Sequence, residues 1–94
     1  MPNTQPPSKD DVDHAVIHII AGFTGLKPDQ ILGPMVLTDL PLAFDSNRLG
    51  FLALSLRGYV RSQNPDATVR AEDTRKPNQT VRGLCDLVFQ RVTS

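Results

Sequence analysis

Ninety-four residues make room for one small domain, with ten Lys and Arg balancing ten Asp and Glu and 39% apolar residues. A chain this short buries only about 60–65% of its unfolded surface, which excludes a catalytic domain beside a cofactor domain, a paired Rossmann unit or a solenoid within it. One cysteine closes no bridge within the chain, and zero net charge argues against a general nucleic-acid binder, which needs a basic surplus to displace counterions.

Charge is balanced overall but not along the chain. Residues 1–56 hold Lys9, Lys27 and Arg48 against six aspartates, whereas residues 57–94 hold seven basic side chains against four acidic ones. Such asymmetry suits the orientation of partners better than the gripping of a polyanion. The longest nearly apolar run, Ala15 to Phe23, is broken by His18 and preceded by Asp10, Asp11 and Asp13. A signal peptide needs a basic region before its apolar stretch, and a membrane helix needs about 20 apolar residues. A cytoplasmic protein without a membrane or nucleic-acid partner is expected.

Residues 1–8 are polar and proline-rich and read as a flexible lead-in to a domain over 9–94. Ser8 is a suitable N-cap, and the acidic residues after it complement the positive end of a helix dipole. Val12, Val16, Ile19, Ile20 and Phe23 then recur on one helical face, predicting a first helix over roughly 9–23. Gly25 and Pro28 stop it. Residues 24–44 carry no period but many apolar side chains, from Ile31 and Leu32 through Leu40 and Leu42, and so predict a loop packed down over the core.

The second helix is the clearest. Leu49, Leu52, Ala53, Leu56 and Val60 form one stripe, Ser46 stands where an N-cap belongs, and Asn64-Pro65 closes the segment. Residues 65–78 allow a short turn of helix around Ala71–Lys76. A last helix follows, with Val81, Leu84, Cys85, Val88 and Val92 on its stripe and a cap among Asn78 to Thr80. No period-two pattern appears, so the fold class is all-α: a small bundle of three long helices plus one short helix.

Leu42-Ala43-Phe44-Asp45-Ser46 brings a serine to the start of the second helix, where no preceding turn covers its hydroxyl. A phosphoryl group attached there would sit at the positive pole of the helix, and Arg48 could add a charge-assisted contact. Taken alone, Asp-Ser before a helix is ordinary capping.

The wider layout resembles the acyl carrier proteins, the phosphopantetheine-binding carrier family. That family's signature is Asp-Ser-Leu at the start of its second helix, after a leucine-containing loop; Leu40-Pro41-Leu42-Ala43-Phe44-Asp45-Ser46 stands in that place. An amphipathic first helix, then Gly25-Leu26-Lys27-Pro28-Asp29-Gln30-Ile31, then the apolar loop keep the family's order. Ala71-Glu72-Asp73 matches its short helix and Gln79-Thr80-Val81 the start of its last one. The resemblance covers residues 10–92.

It implies an acyl-carrier-protein-like bundle with 4′-phosphopantetheine attached covalently at Ser46 and Asp45 in the signature read by a phosphopantetheinyl transferase. The arm would hold acyl, polyketide or aminoacyl groups as thioesters for a loading ligase and downstream biosynthetic enzymes. The carrier itself would be non-catalytic and monomeric. Its partner-facing residues by position are Asn47, Arg48, Phe51, Arg57 and Arg61. Three features depart from the family: Asn47 replaces the apolar residue after the serine, Phe51 stands where an acidic residue is common, and Arg48, Arg57 and Arg61 make this helix basic. Basic docks of fatty-acid enzymes would repel such a surface, which implies a specialised pathway with its own enzymes. The alternative is a carrier-like interaction module, never modified, that works through the basic second helix.

Other chemistry is thin. Asp11, His14 and His18 share a helix face, but a durable metal site needs further ligands, and a solvated face is expected. Cys85 lies among Val81, Leu84 and Val88 and is expected to fill core. Two histidines and one cysteine assemble no catalytic triad or metal centre, and an enzyme is not expected.

Overall fold

A computed structural model describes residues 7–94, which fold into four α-helices without a named strand among them. The first six residues of the expected lead-in lie outside the described residues. Helix α1, Lys9–Thr24, begins with a reciprocal capping box. The Ser8 hydroxyl accepts from the Asp11 N–H at 3.1 Å, and the Asp11 carboxylate accepts from the Ser8 N–H at 3.2 Å. It ends at Gly25, whose φ of 75° needs glycine's freedom and whose N–H bonds the Ala21 carbonyl. Val12, Val16 and Ile20 bury its inner face.

Helix α2, Ser46–Gln63, buries Leu49, Leu52, Ala53, Leu56 and Val60, as the stripe predicts. Helix α3 is the single turn Ala71–Thr74, and α4, Val81–Thr93, buries Val81, Leu84, Cys85, Val88 and Val92. Thr80 caps α4 by accepting from the Gly83 N–H at 3.0 Å. At the other end of the bundle the Asn64 side chain donates to the carbonyls of Arg91 and Ser94, tying the end of α2 to the end of α4. Lys9 bridges Asp13, at 2.6 Å, and Asp86, at 3.0 Å, and so joins α1 to α4. The radius of gyration is 12.7 Å, that of a compact chain of this length.

The segment between α1 and α2 starts with a short 3₁₀ turn, Pro28–Gln30. It then covers the core with Ile31, Leu37, Leu42 and Phe44, all buried. It is also pinned to the start of α4. The Leu37 N–H bonds the Gln79 carbonyl, the Val81 N–H bonds the Met35 carbonyl, and Val36 and Thr80 form one isolated antiparallel bridge. Two of its apolar residues depart from the expected inward packing: Leu32 is 55% exposed and Leu40 86%. The Ala43 N–H bonds the Asp39 carbonyl at 2.8 Å, which closes a turn with Leu40 and the cis-linked Pro41 at its tip. A turn tip faces solvent on most sides, so its side chain finds no core neighbour.

Candidate functional site

The start of α2 is built by the residues just before it. Phe44 is buried, with its ring tilted against Phe23 of α1 at a centroid separation of 5.9 Å, and its N–H bonds the Leu37 carbonyl. Ala43 adopts φ 51°, the left-handed region that costs a residue with a Cβ about 1–2 kcal/mol. These contacts aim the chain so that Asp45 and Ser46 emerge exposed at the head of the helix.

The N-cap is Asp45, not Ser46. The Asp45 carboxylate accepts from the Arg48 N–H at 2.8 Å, and its carbonyl accepts from the Leu49 N–H. Ser46 is the first helical residue, and among the described residues its hydroxyl has no hydrogen-bond partner. The physical reason is position. Asp45 keeps the extended backbone of a cap, φ −92° and ψ 177°, and its carboxylate reaches the third N–H of the helix with its charge favoured by the dipole, whereas Ser46 is already helical. The serine hydroxyl is thereby left over. The N–H groups of Ser46 and Asn47 belong to the unpaired donors of a helix start.

Arg48 does not stand ready for an anion on Ser46, contrary to the expectation. Its guanidinium donates to the Phe23 carbonyl near the end of α1 and lies 5.6 Å from the centroid of the Phe44 ring. It locks two helices together. The cation beside Ser46 is Arg75, whose Nε and Nη2 donate to the Ser46 carbonyl at 3.3 and 3.0 Å. A Cβ on Gly50 would stand 2.9 Å from that Nη2, so glycine at this position lets the guanidinium lie close against α2. No local pattern announces Arg75, which follows α3 in a polar stretch. Thr74 beside it is a second residue without a sequence signal: buried, it donates its hydroxyl to the Leu49 carbonyl at 2.8 Å and so fixes α3 against the start of α2.

Along α2 the expected partner-facing residues separate. Asn47, Phe51, Arg57 and Arg61 are exposed, and Phe51 is joined by Leu54, at 60% and 58% exposure. Between α2 and the stretch 69–75 runs a groove of about 720 Å³. Phe51, Leu54, Val69 and Ala71 supply its apolar lining, and Asn47 lies at its Ser46 end. Arg57, Arg70 and Arg75 line it as well. Arg61 is not among its lining residues.

The remaining candidates stay apart from this site. His14 and His18 lie on the outside of α1 with ring centroids 4.3 Å apart and ring planes tilted by 53°, and no group of three metal-ligating side chains forms among the described residues. Burial pushes the Cys85 thiol up to about 12, with the nearby Asp13 adding to the shift. Its thiolate is scarce at neutral pH, as expected of a core residue. No helix of the described residues is long and apolar enough to cross a membrane. No known protein family, curated protein or solved structure matches this chain.

Proposed function

We propose that this chain is a carrier of the acyl-carrier type, modified at Ser46 with 4′-phosphopantetheine and serving a specialised biosynthetic pathway. The observation that carries the reading is the division of labour at the head of α2. Asp45 satisfies the helix start, which leaves the neighbouring serine hydroxyl exposed and unengaged. A serine serving only as a cap would have its oxygen bonded to a backbone N–H.

The residues present fit a phosphodiester at that oxygen. The helix pole and the N–H groups of Ser46 and Asn47 favour an anion, and the Arg75 guanidinium lies against the same peptide unit. The attached arm supplies a terminal thiol that carries the cargo as a thioester. The chain's own contribution is presentation: a rigid helical head that holds the tether in place and raises the effective concentration of cargo before each partner enzyme. Exposed Arg57 and Arg61 call for an acidic or apolar dock on those partners. Intact mass after incubation with coenzyme A and a broad-specificity phosphopantetheinyl transferase tests the reading. A phosphopantetheine-sized gain, lost in Ser46→Ala, is expected; no gain with any transferase sinks it.

A second reading has its own support in the exposed pair Phe51 and Leu54. Large apolar side chains beside arginines are the composition of an interaction patch, and an unmodified binding module would need nothing from Ser46. Ser46→Ala separates the two, since it removes the carrier's activity and leaves the module's intact.

A further inference from the structure

Arg75 reaches Ser46 from outside α2 and is otherwise unengaged. Its Nε and Nη2 donate to the Ser46 carbonyl at 3.3 and 3.0 Å, and the rest of its fork has no acceptor among the described residues. The acids of α3 are taken by other arginines: Asp73 holds Arg91 at 3.2 Å, and Glu72 pairs with Arg70 at 3.6 Å. Asp45 is turned to the Arg48 N–H, and the Arg48 guanidinium to the Phe23 carbonyl. Arg75 is therefore left without an ion pair among the described residues, beside a hydroxyl without a bond.

Two neighbours keep the guanidinium in this place. Thr74 is buried and bonds the Leu49 carbonyl, which fixes the root of the arginine side chain against the first turn of α2. Gly50 carries no Cβ, which would stand 2.9 Å from Nη2. Glycine is a poor residue for a helix interior, and here its missing side chain is what admits the guanidinium.

A neutral carbonyl is a weak partner for a guanidinium, whereas phosphoryl oxygens are strong ones, taken through two parallel N–H groups. The carbonyl and the hydroxyl of Ser46 are only a few bonds apart. A phosphoryl ester on that hydroxyl puts its oxygens within reach of a flexible side chain already docked on the same residue.

We infer that Arg75 holds the phosphoryl ester formed on Ser46, pairing with its oxygens while Thr74 keeps α3 docked. The ester then ties the head of α2 to α3, and whatever it carries leaves the helix on the α3 side. The inference rests on the carrier reading only for what lies beyond the phosphorus.

The experiment places the ester on Ser46 in two ways: as phosphoserine, by chemical synthesis of the 94-residue chain, and as the phosphopantetheine arm, by transferase and coenzyme A. Phosphorus NMR follows the second ionisation of the phosphoserine, ordinarily at about pH 6. It is expected about half a pH unit lower with Arg75 than in Arg75→Gln, the worth of one exposed ion pair. Arg75→Gln leaves the bond of Thr74 and the pair of Asp73 with Arg91 in place, so α3 stays docked. Arg75→Lys keeps the charge without the fork and should keep part of the depression. Lys76→Gln removes an exposed charge one residue further on and should leave the ionisation where it is. The Arg75 Nε–H resonance should move on either modification. Equal ionisation in the wild type and Arg75→Gln, an equal response to Lys76→Gln, or an unmoved Nε–H resonance would overturn the inference. The two readings fail separately. An Arg75-dependent ionisation without a mass gain in the transferase assay removes the arm and leaves Arg75 as the partner of a simple phosphate. A mass gain without that dependence leaves the arm and removes Arg75 from its root.

Discussion

The Arg75 guanidinium lies across the head of α2 and donates to the carbonyl of Ser46, 29 residues earlier in the chain. That contact joins the stretch after α3 to the residue proposed for modification. Through it the groove wall and the head of α2 share one side chain, so a change at Gly50 or Arg75 reaches both.

Capping and modification are separable at adjacent residues. Asp45→Ala should lower stability by about 0.5–2 kcal/mol, the usual worth of an N-cap. Ser46→Ala should cost less than about 0.5 kcal/mol, as expected of an exposed residue without a partner. Urea unfolding of both variants checks this. Equal losses would mean that the serine shares the cap and is not free.

Two glycines within α2 should answer differently to alanine. Gly58 has open space where a Cβ would stand, so Gly58→Ala should stabilise the helix by about 0.5–1 kcal/mol. At Gly50 the new methyl would meet the Arg75 Nη2 at 2.9 Å and push a flexible side chain aside. Gly50→Ala should therefore gain comparable stability while breaking the link from Arg75 to Ser46. The Arg75 Nε–H resonance reports the break directly: it should move in Gly50→Ala and stay in Gly58→Ala.

Ala43 carries a positive φ without glycine's freedom. Ala43→Gly should be neutral or stabilising by up to about 1 kcal/mol, the relief of strain being partly offset by a more flexible unfolded chain. Ala43→Val should destabilise by about 1–3 kcal/mol, since a β-branched residue tolerates this region poorly. Melting curves for the pair test it, and a stable valine variant would show that the turn can take another path.

Cys85 gives a pH dependence of known sign. Its thiol is held above the ordinary value of 9.0, at about 12, so the folded state keeps a proton that the unfolded state loses first. This contribution is fully present below pH 9 and is lost as pH rises toward 12. Denaturant midpoints should accordingly fall across that window in the wild type and less steeply in Cys85→Ala. Iodoacetamide at neutral pH should label the thiol only once the chain is unfolded.

The helices are legible in the sequence because each carries a self-contained signal. The apolar stripes of 49–60 and 81–92 match the buried faces of α2 and α4, and the Ser8 cap lies within three residues of the group it satisfies. Local patterns of this kind need only a period or a short reach. The serine at the head of α2 was legible too, though which of two adjacent oxygens caps the helix was not. That is decided by where the extended backbone ends, since Asp45 holds the conformation of a cap and Ser46 is already helical. The targets of Arg48 and Arg75 lay beyond sequence reasoning. One turns to the Phe23 carbonyl of α1 and the other arrives from beyond α3, and a long charged side chain has no periodicity to reveal its target. The order and faces of the helices are therefore properties of the sequence itself, read from burial patterns along single segments. The free hydroxyl of Ser46 follows from the cap beside it, whereas the arginine-lined groove exists only once α2 is packed against the stretch 69–75, because its walls come from groups distant in the chain that packing alone brings together.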